Sequence, residues 1–333
     1  MRLLPSFPAW LTAYLQGHLS AAFAPPGWRG GLLLVALSVF TSLPVQAAQT
    51  ITLLLSEPTG IYQETAQALQ QELARDDGRW IVRLQHVDER PGIAGDEWVV
   101  TLGVRALKYA LDAEGVAPLF AVLVPSLTFE KLLSDHPQAS RRRPVSALFL
   151  DQPYARQLQL IRLALPQAKR VGVLVGPVME SQAGELKKAS REAGLEIRIF
   201  ATQTREQLFA SLNDLAREVD VLLLLPDPQV VSGENLQGLF LRTYQQRLSV
   251  AAYAASLVRA GATLGLYATP AQFGVEMGKW VRETDGEKVA NGVTTRFPQR
   301  YTVEINRNVA RTLELPLPTV ESLSRRLDTE HGR

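Results

Sequence analysis

The sequence of 333 residues is long enough for about two domains, and its 46% hydrophobic and 20% charged residues are typical of a globular protein. The formal net charge is +2, but Arg2 and Arg29 lie in the first 47 residues, where there is no Asp or Glu. The chain from Ala48 onward contains 33 of the 35 Lys and Arg residues and all 33 acidic residues, so its formal net charge is zero. A chain without net charge has no field that would gather nucleic acid or an anionic membrane, so both are disfavoured as partners.

The amino-terminal segment predicts export. Residues 30–43 form an apolar stretch that Arg29 precedes and Val45 and Ala47 follow, which is typical of a signal peptide and its cleavage site. Residues 1–47 are therefore predicted to be a signal peptide, with a periplasmic mature chain beginning near Ala48. An uncleaved anchor is the alternative, although about 14 apolar residues are short for a membrane span of roughly 20.

The composition and motifs of the sequence give little support for a catalytic function. There is no cysteine, which excludes disulfides, a thiolate nucleophile, cysteine metal ligands and a lipid-bearing cysteine. The sequence also lacks the G-x-S-x-G, H-E-x-x-H, G-x-x-x-x-G-K-[ST] and G-x-G-x-x-G motifs. We therefore expect no enzyme, no cofactor and no metal site.

The first half of the chain from Gln49 onward predicts one parallel sheet, because short apolar runs alternate with helical spacing. The helices are predicted at residues 60–75 and 106–111. The strands are predicted at residues 51–56, 80–87, 98–102, 119–124 and 145–150.

The second half repeats this pattern, with helices at residues 154–164 and 182–193 that end near Pro166 and Gly194. The predicted fold class is therefore α/β, with two doubly wound parallel-sheet lobes joined by several crossings that form a hinge. The strands of this half are predicted at residues 171–175, 197–200, 219–225, 249–253 and 263–267.

The chain is expected to cross between the lobes near Asp151, near Tyr267 and near Thr295. This assigns residues 48–150 and 268–295 to an amino-terminal lobe, and residues 151–267 and 296–306 to a carboxyl-terminal lobe. Residues 307–333 are expected to form a closing helix and tail.

Ligands of open α/β sheets bind beyond the carboxyl ends of the strands, where helix amino termini can hold an anion and glycines let a ligand approach the backbone. Several of the candidate residues given below also have a structural alternative. The polar ones can cap helices, and the tyrosines can pack at the lobe junction. The predicted ligand-binding residues are Ser56, Thr59, Gly103, Ser126, Asp151, Gly176, Asp227, Tyr253 and Tyr267, with Val104 beside Gly103.

Several segments resemble the ABC-transporter substrate-binding protein family with the type I periplasmic fold, a group that includes tryptophan- and tyrosine-type binders. The resemblance rests on order and spacing across residues 148–197, the 225–228 loop, and residues 248–266, 270–278 and 305–313. It implies a monomeric receptor that closes two lobes around a small solute and presents the closed form to an inner-membrane ABC permease.

The resemblance departs from aromatic amino-acid binders at the ligand. The loop reads Pro226-Asp227-Pro228, and a segment without glycine, residues 252–256, replaces a glycine- and serine-rich turn. Asp227 is then a candidate partner for a ligand ammonium group, while the ligand could be an amino acid, a peptide fragment or a nucleoside-like compound. A periplasmic sensor that docks on a receptor other than a permease is the alternative function, and a DNA-binding regulator is disfavoured by the export signal.

Overall fold

The structure is a computed structural model that describes residues 48–76, 78–93, 98–284 and 292–330. The predicted signal peptide lies outside these residues. Within them, no helix is long and apolar enough to span a bilayer.

The first sheet has six strands in the order β11-β5-β4-β3-β1-β2, and every neighbouring pair is parallel. Helices lie on both of its faces. The strands are β1 (Gln49–Leu55), β2 (Trp80–His86), β3 (Trp98–Leu102), β4 (Leu119–Val124), β5 (Val145–Phe149) and β11 (Val293–Arg296). The helices are α1 (Ile61–Leu73), α2 (Val104–Asp112), α3 (Ser126–Asp135), α4 (Ala139–Arg142) and α10 (Pro270–Glu283), with a 3₁₀ turn at Val87–Glu89.

The second sheet has six strands in the order β12-β10-β9-β8-β6-β7, and only β12 runs antiparallel to its neighbour β10. The strands are β6 (Arg170–Val175), β7 (Glu196–Ala201), β8 (Val221–Leu223), β9 (Ser249–Ala252), β10 (Leu264–Tyr267) and β12 (Thr302–Ile305). The helices are α5 (Tyr154–Ala164), α6 (Ala183–Glu192), α7 (Arg205–Glu218), α8 (Gly233–Gln245), α9 (Ala255–Ala260), α11 (Arg307–Thr312) and α12 (Val320–Glu330), with a 3₁₀ turn at Met179–Gln182.

The α/β class and the two parallel-sheet lobes are confirmed. Apolar side chains on both faces of the strands explain why the pattern was readable: Ile51 and Leu53 of β1 pack into one core cluster, and Leu54 into another. β11 and β12 were not among the predicted strands. All four residues of β11 are exposed at the edge of its sheet, so this strand has no apolar run to reveal it.

All three crossings between the sheets lie at carboxyl ends of parallel strands. The chain leaves the first sheet after β5 and returns to it after β10. It crosses again at residues 297–301, and β12 then begins beside the end of β10, where Thr302 pairs with Tyr267. This topology brings the carboxyl edges of the two sheets to the same hinge, and the space between these edges is called the cleft below.

Hydrogen bonds tie the crossings together. The Arg156 guanidinium, which is buried at the start of α5, donates to the carbonyl of Pro298 over 2.8 Å and lies 5.0 Å from the ring centre of Tyr301. Gln272 of α10 donates to the carbonyl of Tyr301 over 3.4 Å, and its side-chain oxygen accepts from Thr302 over 3.3 Å. Both other crossings are therefore bonded to the third.

Helices α1 and α10 cover one face of the first sheet and approach each other at Gly274. A Cβ at Gly274 would lie 2.5 Å from the backbone oxygen of Thr65 and 2.6 Å from the Cβ of Ala68. Because a backbone oxygen in a helix cannot easily move aside, only glycine allows this helix spacing.

We expect Gly274→Ala to lower the free energy of unfolding by about 1–3 kcal/mol, since the added methyl group must push the two helices apart. Gly184→Ala in α6 is the matched control, because a Cβ there meets nothing within 4 Å. This control should be neutral or stabilising by up to about 1 kcal/mol. Urea unfolding of both variants measures the difference, and equal stabilities would contradict the packing argument.

Candidate functional site

The carboxyl edge of the first sheet brings Ser56 and Gly103 together. The buried Ser56 hydroxyl oxygen accepts a hydrogen bond from the backbone N–H of Ala106 over 3.0 Å, so it caps α2 rather than the helix that follows it in sequence. Gly103 has a φ of 94°, and a Cβ there would lie 2.6 Å from the Ser56 hydroxyl oxygen and 2.5 Å from the Tyr62 ring. A side chain at this position is therefore excluded by both φ and space.

Ser126 and Asp151 form a second pair, at the ends of β4 and β5. One carboxylate oxygen of Asp151 accepts from the backbone N–H of Ser126 over 2.7 Å, and the other lies 2.6 Å from the Ser126 hydroxyl. Asp151 therefore holds the first turn of α3, where backbone N–H groups have no partner within the helix.

The Asp151 carboxyl is 4% exposed, and its surroundings disfavour its charge. Burial raises its pKa most, and Glu185 on the second lobe raises it further, while the hydrogen bonds from Ser126 act in the opposite direction. The pKa of Tyr154 in α5 is also raised, first by burial and then by the charges of Asp151, Glu185 and Glu130.

Asp227 is held by its own lobe. It is 2% exposed, and its two oxygens accept from the backbone N–H of Gly176 over 2.6 Å and of Gln229 over 2.8 Å. The carboxylate thus joins the end of β6 to the loop after β8. Both oxygens of Asp227 are therefore engaged by backbone N–H groups of its own lobe.

Tyr253 follows β9 and connects the two aspartates electrostatically. Burial raises its pKa to about 12, and the charges of Asp227 and of Asp151 contribute in that order. Its side chain is half-buried. Hydrogen bonds therefore pair Gly176 with Asp227 and Ser126 with Asp151, and Tyr253 lies within electrostatic range of both carboxylates.

Ser56 and Gly103 form a separate pair, and the remaining two predicted residues, Thr59 and Tyr267, have other surroundings. Thr59 is exposed in the loop between β1 and α1. Tyr267 is buried, and its hydroxyl donates to Glu304 of the neighbouring strand β12. Burial first, and then the hydrogen bond to Glu304, raise the pKa of Tyr267, so this tyrosine belongs to the β10–β12 pairing.

Sequence reasoning missed several side chains at the carboxyl edges. Ile61 and Val178, like Val104, are large apolar residues that stay exposed, at 47%, 52% and 36% respectively. Gln152 is 1% exposed; its side-chain oxygen accepts from Arg156 over 2.5 Å, and its side-chain nitrogen has no partner among the described residues. The available signal was an apolar residue directly after a glycine that caps a helix, as at Gly60 and Gly103.

The chemistry of the cleft suits binding. Among the described residues, no group of three or more His, Asp or Glu side chains is placed to hold a metal ion. Both buried aspartates accept hydrogen bonds from backbone N–H groups, Asp151 also accepts one from the Ser126 hydroxyl, and neither has a histidine as its hydrogen-bond partner.

A family model described as "ABC transporter substrate binding protein" matches residues 145–327, which is more than half of the chain. The chain belongs to this family. No curated protein matches the sequence significantly. As a member of the family, the protein is a substrate-binding protein of the ABC type.

Solved structures support the fold of this substrate-binding protein. It is similar to an ABC domain in complex with L-Trp from Streptococcus pneumonia, with 17% identity, a TM-score of 0.58, and coverage of 83% of this chain and 98% of that one. A ligand-free, open substrate-binding protein with adhesive properties from Clostridium difficile has 13% identity and a TM-score of 0.60, and the match covers 82% of this chain and 97% of that one. The protein is also similar to a conserved domain protein from Vibrio cholerae, with 18% identity, a TM-score of 0.57, and coverage of 84% of this chain and 98% of that one. The two lobes therefore have the type I periplasmic-binding-protein fold.

The raised pKa of Asp151 predicts a pH-dependent stability. A carboxyl that ionises less readily when folded costs stability as the pH rises above its usual pKa of 3.8, since the unfolded chain loses the proton first. Asp151→Asn keeps the side-chain shape without the charge. We expect the unfolding free energy of this variant, relative to the parent, to increase as the pH rises from about 4 to 7.

Asp220→Asn provides the opposite case. Although burial opposes it, the hydrogen bonds from Arg170 and the Lys169 backbone lower the pKa of Asp220 to about 2. The loss of stability in Asp220→Asn should therefore be greatest near neutral pH and should shrink as the pH falls through about 4 toward 2. Urea unfolding across this range measures both variants, and a flat difference for Asp151→Asn would contradict the assignment.

Proposed function

We propose that the protein is the solute receptor of an ABC-type uptake system, and that it closes its two lobes around a small molecule bound in the cleft. The observation that carries the proposal is that all three crossings lie at the carboxyl edges of the two sheets, so that the two hydrogen-bonded aspartates, Asp151 and Asp227, lie at these edges beside one hinge. A ligand that contacts both edges stabilises the closed arrangement by its differential affinity for that state. Binding of this kind needs no covalent chemistry.

The proposed ligand is small and polar with an apolar or aromatic portion, and an aromatic amino acid is one candidate. Three exposed apolar residues support the apolar portion: Ile61 and Val104 on the first lobe and Val178 on the second. Tyr253 offers a half-buried ring within electrostatic range of the two aspartates. The polar portion can be held by unpaired N–H groups at helix amino termini, as at α1, where the capping residue Gly60 supplies no side chain.

Tyr253 is proposed to contact the ligand through its ring, whereas Asp227 is proposed to shape the loop that carries the contacts. The proposed partner is an inner-membrane ABC permease that recognises the closed form, with the receptor acting as a monomer. The proposed location is the periplasm, after removal of residues 1–47. Amino-terminal sequencing of the exported protein should give Ala48, and an unprocessed chain would contradict the cleavage site.

A ligand screen tests the function. The protein is unfolded and refolded to remove any bound molecule, and its melting temperature is measured with amino acids, nucleosides, sugars and small peptides. A ligand at about 100 times its dissociation constant should add about 2.7 kcal/mol of stability, which gives a clear rise in melting temperature. Stabilisation by one chemical class supports the receptor and identifies the solute, whereas no effect from the whole panel contradicts it.

Substitutions at Tyr253 test the cleft with the ligand so identified. We expect Tyr253→Ala to weaken binding about 10- to 30-fold, because the ring contact is lost. Tyr253→Phe retains the ring and should stay within about threefold of the parent. Isothermal titration calorimetry measures both affinities.

Two tyrosines outside the cleft serve as controls. Tyr244 is 50% exposed near the end of α8, so Tyr244→Ala should leave the affinity unchanged. Tyr267→Phe should also bind normally, because its hydroxyl is engaged with Glu304. Equal weakening by Tyr244→Ala and Tyr253→Ala would remove Tyr253 from the site.

A further inference from the structure

A second cavity lies in the carboxyl-terminal lobe, at the end of the sheet opposite to the cleft. Its volume is about 370 Å³, and its lining includes Val221 at the start of β8 and Ser249 at the start of β9. The turn that follows α5 and the segment at Leu315 and Pro316 complete it. Because the cleft lies at the carboxyl ends of these strands, the two sites are on opposite ends of one sheet.

The walls of this cavity are largely apolar, with Leu165, Pro166 and Leu315 among the lining residues. Its volume falls within the range of small-molecule sites, roughly 300–1,000 Å³. A cavity of about 150 Å³ holds benzene, so this one has room for an apolar body of about two rings.

The charged groups at the cavity are paired with one another. Arg170 and Asp220 are 2.8 Å apart, and the Asp220 carboxylate also accepts from the backbone N–H groups of Lys169 and Arg170, each over 2.9 Å. At the mouth, Arg247 and Glu314 form an ion pair of 3.3 Å. These pairs leave no strong electrostatic demand for a charged ligand.

The carbonyl groups at the helix ends beside the cavity also have hydrogen-bond partners. After α8, the backbone N–H of Leu248 donates to the carbonyl of Thr243 over 2.9 Å. After α11, the N–H of Leu315 donates to the carbonyl of Ala310 over 2.9 Å. Since these bonds satisfy carbonyls of the last helical turns, the ends do not call for a cation.

Ser249 differs from these groups. Its residue is 4% exposed, and its hydroxyl oxygen is buried without a hydrogen-bond partner among the described residues. A buried hydroxyl without a partner is costly, and its hydrogen can rotate toward a partner that binds beside it. A ligand with one hydrogen-bonding group would supply the partner that the lobe lacks.

We propose that this cavity is a second binding site, separate from the cleft, for an uncharged molecule with an apolar body and a single hydroxyl or carbonyl group. The apolar walls hold the body, and the Ser249 hydroxyl bonds the polar group. The site belongs to the carboxyl-terminal lobe alone, so its occupation does not depend on the solute of the cleft.

The test uses three probes that share one ring system. 1-Naphthol carries a hydroxyl, naphthalene lacks it, and 1-naphthoate replaces it with a negative charge. We expect 1-naphthol to bind about three- to tenfold more tightly than naphthalene, which is the effect of one neutral hydrogen bond. 1-Naphthoate should bind more weakly than both, because burying a carboxylate without a partner is costly. Equilibrium dialysis with the full chain measures all three affinities.

Two substitutions locate the binding. Ser249→Ala should reduce the affinity for 1-naphthol to that for naphthalene and leave naphthalene itself unchanged. Ala168→Phe, at a half-buried lining residue, should fill the cavity and abolish the binding of both. Ser211→Ala, at a half-buried serine on α7, is the matched control and should change nothing.

The results that overturn the proposal are distinct from those that bear on the cleft. Failure of both neutral probes to bind the parent would exclude the site, and so would 1-naphthol binding that survives both Ser249→Ala and Ala168→Phe. Circular dichroism confirms the fold of each variant. The cleft solute should bind equally well to Ser249→Ala, so a failed receptor function and a failed second site remain distinguishable.

Discussion

The rest of the structure depends on one constraint, which is that all three crossings between the sheets lie at the carboxyl ends of parallel strands. Arg156 and Gln272 bond the first two crossings to the third, so the hinge is one hydrogen-bonded unit. The helices that follow these strands also begin at these edges, where the exposed residues Ile61, Val104 and Val178 lie. The hinge thereby decides where a ligand can touch both lobes.

The buried aspartates show how the protein builds its edges before any ligand is present. Asp227 joins the end of β6 to the loop after β8, and Asp151 holds the first turn of α3. A carboxylate that accepts backbone N–H groups in a buried position is a structural support as much as a site. The proposed ligand contacts are therefore made by groups that are not fully engaged, chiefly the half-buried Tyr253 ring and the exposed apolar residues at the carboxyl edges.

The two ends of the second sheet have different chemistry. At the carboxyl edge, half-buried polar and apolar groups lie beside a hinge. At the opposite end, paired charges surround an apolar cavity with one unpartnered hydroxyl, that of Ser249, within the part of the chain that the structure describes. Strand direction separates the two sites, since the same parallel strands begin at one and end at the other.

The sequence by itself determined the fold class, because strands that are apolar on both faces, such as β1 and β6, and the amphipathic helices between them are local patterns. It also placed Ser126, Asp151, Gly176, Asp227 and Tyr253 after strands, and in the structure each of them lies beyond the carboxyl end of a strand. Only the tertiary structure decided their partners: Asp227 with Gly176, Tyr267 with Glu304, and Ser56 with the start of α2 rather than α1. Those partners are far apart in the chain or on neighbouring strands, and the exposed edge strand β11 has no apolar pattern at all. Which polar group is satisfied within the protein, and which is left for a ligand, depends on such long-range contacts and not on local spacing.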